Sequence, residues 1–134
     1  MKISFSNGGL MKNIVLSLIF IIALISIDYT FAQKNETKPK VIFIELGSVN
    51  CIPCRMMQPV MKNIEKKYGD QIKVIFYDVW TQEQRKYADI YKIRVIPTQV
   101  FLDANGKEFH RHEGFYPKTE IDKLLKSKGL KLKK

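Results

Sequence analysis

Two cysteines stand two residues apart in "GSVNCIPCRMMQP", the stretch from Gly47 to Pro59. A pair with this spacing can trade electrons as dithiol and disulfide, supply half of a metal site, or staple the chain. The staple is the weakest reading, because so small a loop removes little entropy from the unfolded chain. A metal site needs more ligands. His110 and His112 are the chain's two histidines, and their H-x-H gap, far from the cysteines, does not match common zinc spacings. They read instead as surface side chains on a half-exposed strand. Redox exchange needs a thiolate, and the partial positive charge at a helix N-terminus lowers a cysteine's pKa.

The flanking patterns put the pair at such a place. "VIFIEL", Val41 to Leu46, is a continuous apolar run with one acid, the pattern of a strand buried on both faces. After the cysteines, Met57, Val60, Met61, Ile64 and Tyr68 recur at helical spacing, Gly69 can close the helix, and Pro59 inside it predicts a kink. Cys51 then begins the helix as the exposed, attacking thiol, and Cys54, one turn in, resolves the mixed disulfide. "IKVIFYDVW", Ile72 to Trp80, reads as a second buried strand, and Thr81 with Gln84 forms a capping box for a helix carrying Tyr87, Ile90 and Tyr91. A strand, helix, strand order implies a right-handed crossover and a parallel pair. "RVIPTQVFLD" gives a loop and strand, "DANG" a turn in which Gly106 takes positive φ, and "KEFHRH" a returning antiparallel strand. The last helix shows Ile121, Leu124 and Leu125 on one face, with lysines near its C-terminus. The sum is an α/β domain, β-α-β-α-β-β-α, with helices covering a mixed sheet.

The chain has 134 residues and no internal repeat, which predicts one domain plus its ends. Residues 1–32 read as a secretory signal peptide: Lys2 and Lys12 precede the apolar run Ile14 to Ile27, and Thr30 and Ala32 suit positions −3 and −1 of a cut. Met11 is an alternative start. Left uncut, the leader is an anchor at the outer face of the inner membrane, although its run is shorter than the roughly 17 to 25 residues of a span. Residues 33–40 read as a flexible linker, 41–128 as the folded domain and 129–134 as a solvated basic tail. The net charge is +10, and the leader holds only Lys2, Lys12 and Asp28, so the domain stays strongly basic. Anionic lipid or acidic partners fit that charge, but no interleaving of aromatic and basic residues points to nucleic acid. An exported chain lives where disulfides persist. No Ser/His/Asp set, phosphate-cradling glycine loop or carboxylate pair stands out.

"CIPCRMMQP", "IRVIPT" and "DANGKEFHRHEGF", in that order and at the right separations, resemble thioredoxin over about Val41 to Leu125. The resemblance implies the thioredoxin fold and a redox pair, Cys51 and Cys54, with Pro53 between them and Pro59 kinking the helix. It implies that Pro97 is the cis-proline facing the disulfide, that its loop with Ile96 offers backbone hydrogen bonds to a bound peptide, and that Gly114 lies near the substrate groove. Glu45, six residues before Cys51, matches the family's buried acid, which helps move a proton from the resolving cysteine. Inside "VIFIEL" burial should raise its pKa and make it a usable base; the alternative is a strand-end glutamate turned to solvent.

The sequence departs from the family where tryptophans are usual, at Gly47 and Asn50, and Phe76 stands where many members keep a lysine. Trp80 either fills the space left by Gly47 or is an ordinary core or edge tryptophan. Ile52 replaces the histidine common in strongly oxidising relatives, which tilts the expectation toward a reducing or intermediate potential. With Asn50, Ile52 and Pro53 at the substrate-binding rim, the resemblance implies an exported, monomeric thiol-disulfide oxidoreductase with no cofactor beyond its own dithiol. Its expected partners are cysteines of extracytoplasmic proteins and, in the reductase direction, a membrane thiol-disulfide transporter as electron donor. A peptide-binding or chaperone-like module with little redox turnover, and a metal carrier, are the other readings.

Overall fold

The structure is a computed structural model that describes Asn13 and residues 38–133. The expected leader, and all but the last three residues of the expected linker, lie outside the described residues. From Val41 onward the order is β1 (Val41–Gly47), α1 (Ile52–Tyr68), a 3₁₀ turn (Gly69–Gln71), β2 (Ile72–Asp78), α2 (Lys86–Ile90), β3 (Thr98–Asp103), β4 (Glu108–Glu113) and α3 (Lys118–Ser127). The expected α/β order is thus observed.

The four strands run β2-β1-β3-β4 in the sheet, with β1 parallel to β2 and the other two pairs antiparallel. Strand alternation sorts the side chains of β1 into two layers. Phe43 shares one layer with Met57, Met61 and Ile64 of α1, Ile121 and Leu125 of α3, and Phe101 of β3. Ile44 and Leu46 face the opposite layer, with Val100, Tyr87, Tyr91 and Ile93. Phe43 and Phe101 stack with ring centroids 4.6 Å apart. Asp122 joins α3 to α1, accepting hydrogen bonds from Lys67 Nζ at 2.5 Å and from the Tyr68 hydroxyl at 3.0 Å.

Three expectations change. β2 ends at Asp78 rather than Trp80 and, as an edge strand, is mostly half-buried instead of enclosed on both faces. The helix after it is short. The expected capping box does not cap it: its N-cap is Arg85 with no side-chain bond, and in the turn before it Gln84 N–H donates to Thr81 Oγ1 at 3.3 Å while the Gln84 side chain accepts from Asp78 N–H at 2.6 Å. The basic tail is not free in solvent through Lys133. Leu130 is buried, Gln71 holds Lys131 through a hydrogen bond in each direction, and Lys133 N–H donates to Lys67 O.

Candidate active site

Chain direction gathers the site at one end of the sheet. β1 runs out at Gly47, directly before the cysteines, and β3 starts beside it, because Leu46 pairs with Thr98 in the antiparallel register. The Ile96–Pro97 bond, which is cis, therefore lies at the same end as the Cys51–Cys54 loop. Gly114, just past the end of β4, joins them: its N–H donates to Pro97 O at 2.7 Å.

Cys51 is the N-cap of α1 and Cys54 lies one turn inside. The two are disulfide-bonded, with Cα atoms 5.2 Å apart. Cys51 Sγ accepts a hydrogen bond from Cys54 N–H at 3.4 Å, so the sulfur sits where the unpaired donors of the helix start point. Cys51 is 8% exposed and Cys54 0%. Both are buried, and Cys51 keeps a small exposed area that Cys54 lacks. Reducing the bond would leave the Cys51 sulfur facing the partial positive charge of the helix start, which favours the thiolate form.

Gly47 explains how Cys54 fits so close to the strand. A Cβ built there would lie 3.1 Å from Cys54 Cβ, 3.2 Å from Cys54 Sγ and 3.4 Å from Cε2 of Phe76. Cys54 and Phe76 thus occupy the space, and Trp80 does not fill it. Trp80 is 60% exposed and instead lines a shallow groove of about 490 Å³ with Val79, Ala88, Ile93, Val95 and Ile96. A second cavity, of about 310 Å³, is lined by Lys38, Lys40, Tyr68, Asp70, Gln71 and Lys133, toward the other end of β1.

Glu45 is wholly buried. It sits two residues before Gly47 and so points to the same face of β1, the one that α1 covers. Burial pushes its carboxyl from an ordinary 4.5 up to about 8, against a smaller lowering from Gln99. The geometry supports the dominance of burial, because neither carboxyl oxygen has a hydrogen-bond partner among the described residues. With a pKa of about 8 the acid is mostly neutral at pH 7 in the oxidised protein, and its ionised fraction is a base strong enough to take a proton from a nearby thiol.

Asn50, Ile52 and Pro53 are exposed around the disulfide, while Pro97 is buried. The rim also carries Val49 and Met56 in exposed positions. The histidines of β4 are not free surface groups. His110 is half-buried with Nε2 3.1 Å from the Tyr116 hydroxyl, His112 stacks on the Tyr116 ring at 4.1 Å, and no cluster of three metal-ligating side chains occurs among the described residues.

Two supporting residues were not legible in the sequence. Asp78, paired with Gly47 across β1 and β2, accepts from Val49 N–H and from Trp80 N–H, each at 3.2 Å, and so ties the cysteine loop to the loop after β2. Ser48 is buried; its Oγ accepts from Asn50 N–H at 3.2 Å and its carbonyl from Cys51 N–H at 3.2 Å. An aspartate ending one strand beside a glycine ending the next is the available signal, but only the register makes it visible.

Residues 28–129 match the family model described as a thioredoxin-like domain. Thioredoxin 1 of Synechococcus elongatus is 34% identical over 98 residues, covering 73% of this chain and 89% of that protein. Bacillus subtilis thioredoxin is 30% identical over the same shares. Chloroplastic thioredoxin Y of rice is also 30% identical over 98 residues, and the match spans 56% of its length. Among solved structures, a mutant thioredoxin from Halobacterium salinarum superposes with a TM-score of 0.58 at 24% identity, covering 66% of this chain and 74% of that one. Malassezia sympodialis thioredoxin gives 0.57 at 29% identity, over 69% and 79%.

Proposed function

The chain belongs to the thioredoxin-like family, whose thioredoxins work through a redox-active disulfide, and on that premise we propose that it exchanges disulfides with cysteines of extracytoplasmic proteins, acting as a reductase. Its class is protein-disulfide oxidoreductase, and its redox group is its own Cys51–Cys54 pair. The observation that carries the reading is the exposure difference at the helix start, with Cys51 reachable at the N-cap of α1 and Cys54 enclosed.

The reaction follows from that difference. The Cys51 thiolate attacks one sulfur of a substrate disulfide, forms a mixed disulfide and releases the other substrate sulfur as a thiolate. Cys54 gives its proton to Glu45 in its ionised form and attacks Cys51 Sγ, which frees the second substrate sulfur to leave as a thiol and leaves Cys51–Cys54 oxidised. Two electrons pass to the substrate. The exposed apolar side chains of Val49, Ile52 and Met56 suit a partner with apolar residues beside its cysteine. In this reading the backbone at Ile96, beside the cis bond, pairs with that segment, and Pro97 and Gly114 hold the loop through the Gly114 N–H to Pro97 O bond.

Export rests on the leader pattern of residues 1–32, and the reductase direction on Ile52, which offers the thiolate no positive charge. An exported reductant must itself be re-reduced, for which a membrane thiol-disulfide transporter has the right chemistry. The test is reduction of a protein disulfide by the wild type and by Cys51→Ser. Turnover lost in the variant supports the reading, and turnover kept would point to a peptide-binding module whose cysteines are incidental.

A further inference from the structure

The end of the sheet away from Cys51 gathers lysines that the disulfide chemistry does not use. β1 and β2 begin there side by side, with Val41 opposite Ile72, and α1 ends beside them at Tyr68. The segment after α3 is fastened to the same place: Leu130 is buried, Gln71 holds Lys131 in both directions, and Lys133 N–H donates to Lys67 O. The segment entering β1 arrives there too, with Lys40 N–H on Gln71 O and Lys40 Nζ 3.5 Å from Gly129 O. Lys38, Lys40, Lys66, Lys128, Lys131 and Lys133 are all exposed at this end, and Lys38, Lys40 and Lys133 line its cavity of about 310 Å³.

Nearby acids do not balance them. Asp122 is paired with Lys67 and Glu108 with Arg111, so Glu65, Asp70 and Asp103 stand against these lysines. Fixing like charges side by side costs free energy, which a negative surface laid against them would offset. A second feature says what kind of surface. Leu132 is 52% exposed, held outward between Lys131 and Lys133 by the bonds that fasten the tail. An apolar side chain among ammonium groups suits an interface that is anionic outside and apolar just beneath, as a bilayer of anionic phospholipid is. Nucleic acid or an acidic protein surface would meet the charges but give Leu132 no apolar layer.

We propose that this end of the domain docks on anionic phospholipid membranes, with its lysines at the headgroup phosphates and Leu132 at the edge of the acyl layer. The chain before Lys38, whose sequence includes the apolar run Ile14 to Ile27, joins the domain within this face. β1 runs seven residues from here toward the disulfide loop, about 23 Å of extended chain. Surface charge acts over only about 10 Å at ~0.1 M salt. The disulfide is therefore held beyond its reach, facing away from the membrane. Docking is independent of the exchange reaction and does not rest on it.

The test is sedimentation of the full chain with vesicles of phosphatidylcholine alone and with vesicles of phosphatidylcholine mixed with phosphatidylglycerol. Binding should be far tighter on the mixed vesicles and should weaken as salt is added. Lys38→Gln and Lys131→Gln should each weaken it about fivefold, and together about 30-fold. Arg94→Gln removes the same charge from an exposed side chain that lines the groove with Ile96, at the disulfide end, and should leave binding unchanged. With Leu132→Trp in a Trp80→Phe chain, tryptophan emission should shift to the blue on the mixed vesicles only. Equal binding to both kinds of vesicle would assign it to the apolar run of residues 14–27 and overturn the proposal. Arg94→Gln weakening binding as much as Lys131→Gln would overturn it as well, since net charge without orientation would then suffice. An emission that stays put on the mixed vesicles would refute the seating of Leu132 in the bilayer. Lys38, Lys131 and Leu132 are exposed, so the fold does not depend on their side chains.

Discussion

Replacing Glu45 by glutamine should remove most of the rise in stability that this domain shows on acidification from pH 8. The native acid is neutral up to about pH 8, whereas in the unfolded chain it ionises near 4.5. Between those values the unfolded state binds fewer protons than the native one, so stability falls as pH rises. At about 1.4 kcal/mol per pH unit the wild type loses up to about 5 kcal/mol across that window, and nothing further above it. Small domains hold only about 5–15 kcal/mol in all. Glutamine keeps the shape of the side chain, but it does not titrate. Urea unfolding of both oxidised proteins between pH 4 and 9 is the assay, and taking their difference at each pH cancels the groups they share. The glutamine variant should gain on the wild type by up to about 5 kcal/mol from the acid end to the alkaline end. Parallel curves would refute the argument, since they would mean that Glu45 is ionised in the folded protein at neutral pH.

Gly47→Ala should destabilise the oxidised domain by about 1–3 kcal/mol, because the new methyl meets Cys54 Cβ at 3.1 Å and Phe76 behind it. Thermal unfolding reads this as a melting point lower by several degrees, and an unchanged one would mean that the strand and helix yield freely there. Ile52→His should raise the reduction potential of the pair by roughly 30 mV for each pH unit by which it lowers the Cys51 pKa. That rise should be larger at pH 6 than at pH 8, where the imidazole is neutral. Equilibration with glutathione at both values measures it, and a potential that stays put or falls would show that charge at this position does not reach the thiolate.

The frame of the site was legible because it rests on short-range pattern. The apolar run before Cys51 and the helical spacing after it fix the strand-to-helix junction, and that junction gives Cys51 the N-cap. Glu45 was placed by its resemblance to the family's buried acid, six residues before Cys51, and of burial and the solvent-facing alternative the structure shows burial. What escaped depends on pairing between distant strands. That β2 is an edge strand follows from sheet order, which periodicity does not carry. Asp78 gains its role only when the register sets it beside Gly47. Of the two readings left open for Trp80 the structure excludes the first for a related reason: the space beside Gly47 is taken by Cys54 from the helix and Phe76 from the neighbouring strand. The tail shows the limit of composition, since its lysines suit solvent while Leu130 among them is buried.

The central claim is that Cys51 attacks and Cys54 resolves. Mixing reduced Cys54→Ser and reduced Cys51→Ser separately with a disulfide-containing substrate protein, and weighing the products by mass spectrometry, tests it most directly. The account predicts that Cys54→Ser accumulates a covalent adduct through Cys51, for lack of a resolving thiol, while Cys51→Ser, with its remaining sulfur enclosed, forms little or none. Adducts that form equally in both variants, or chiefly through Cys54, would contradict it.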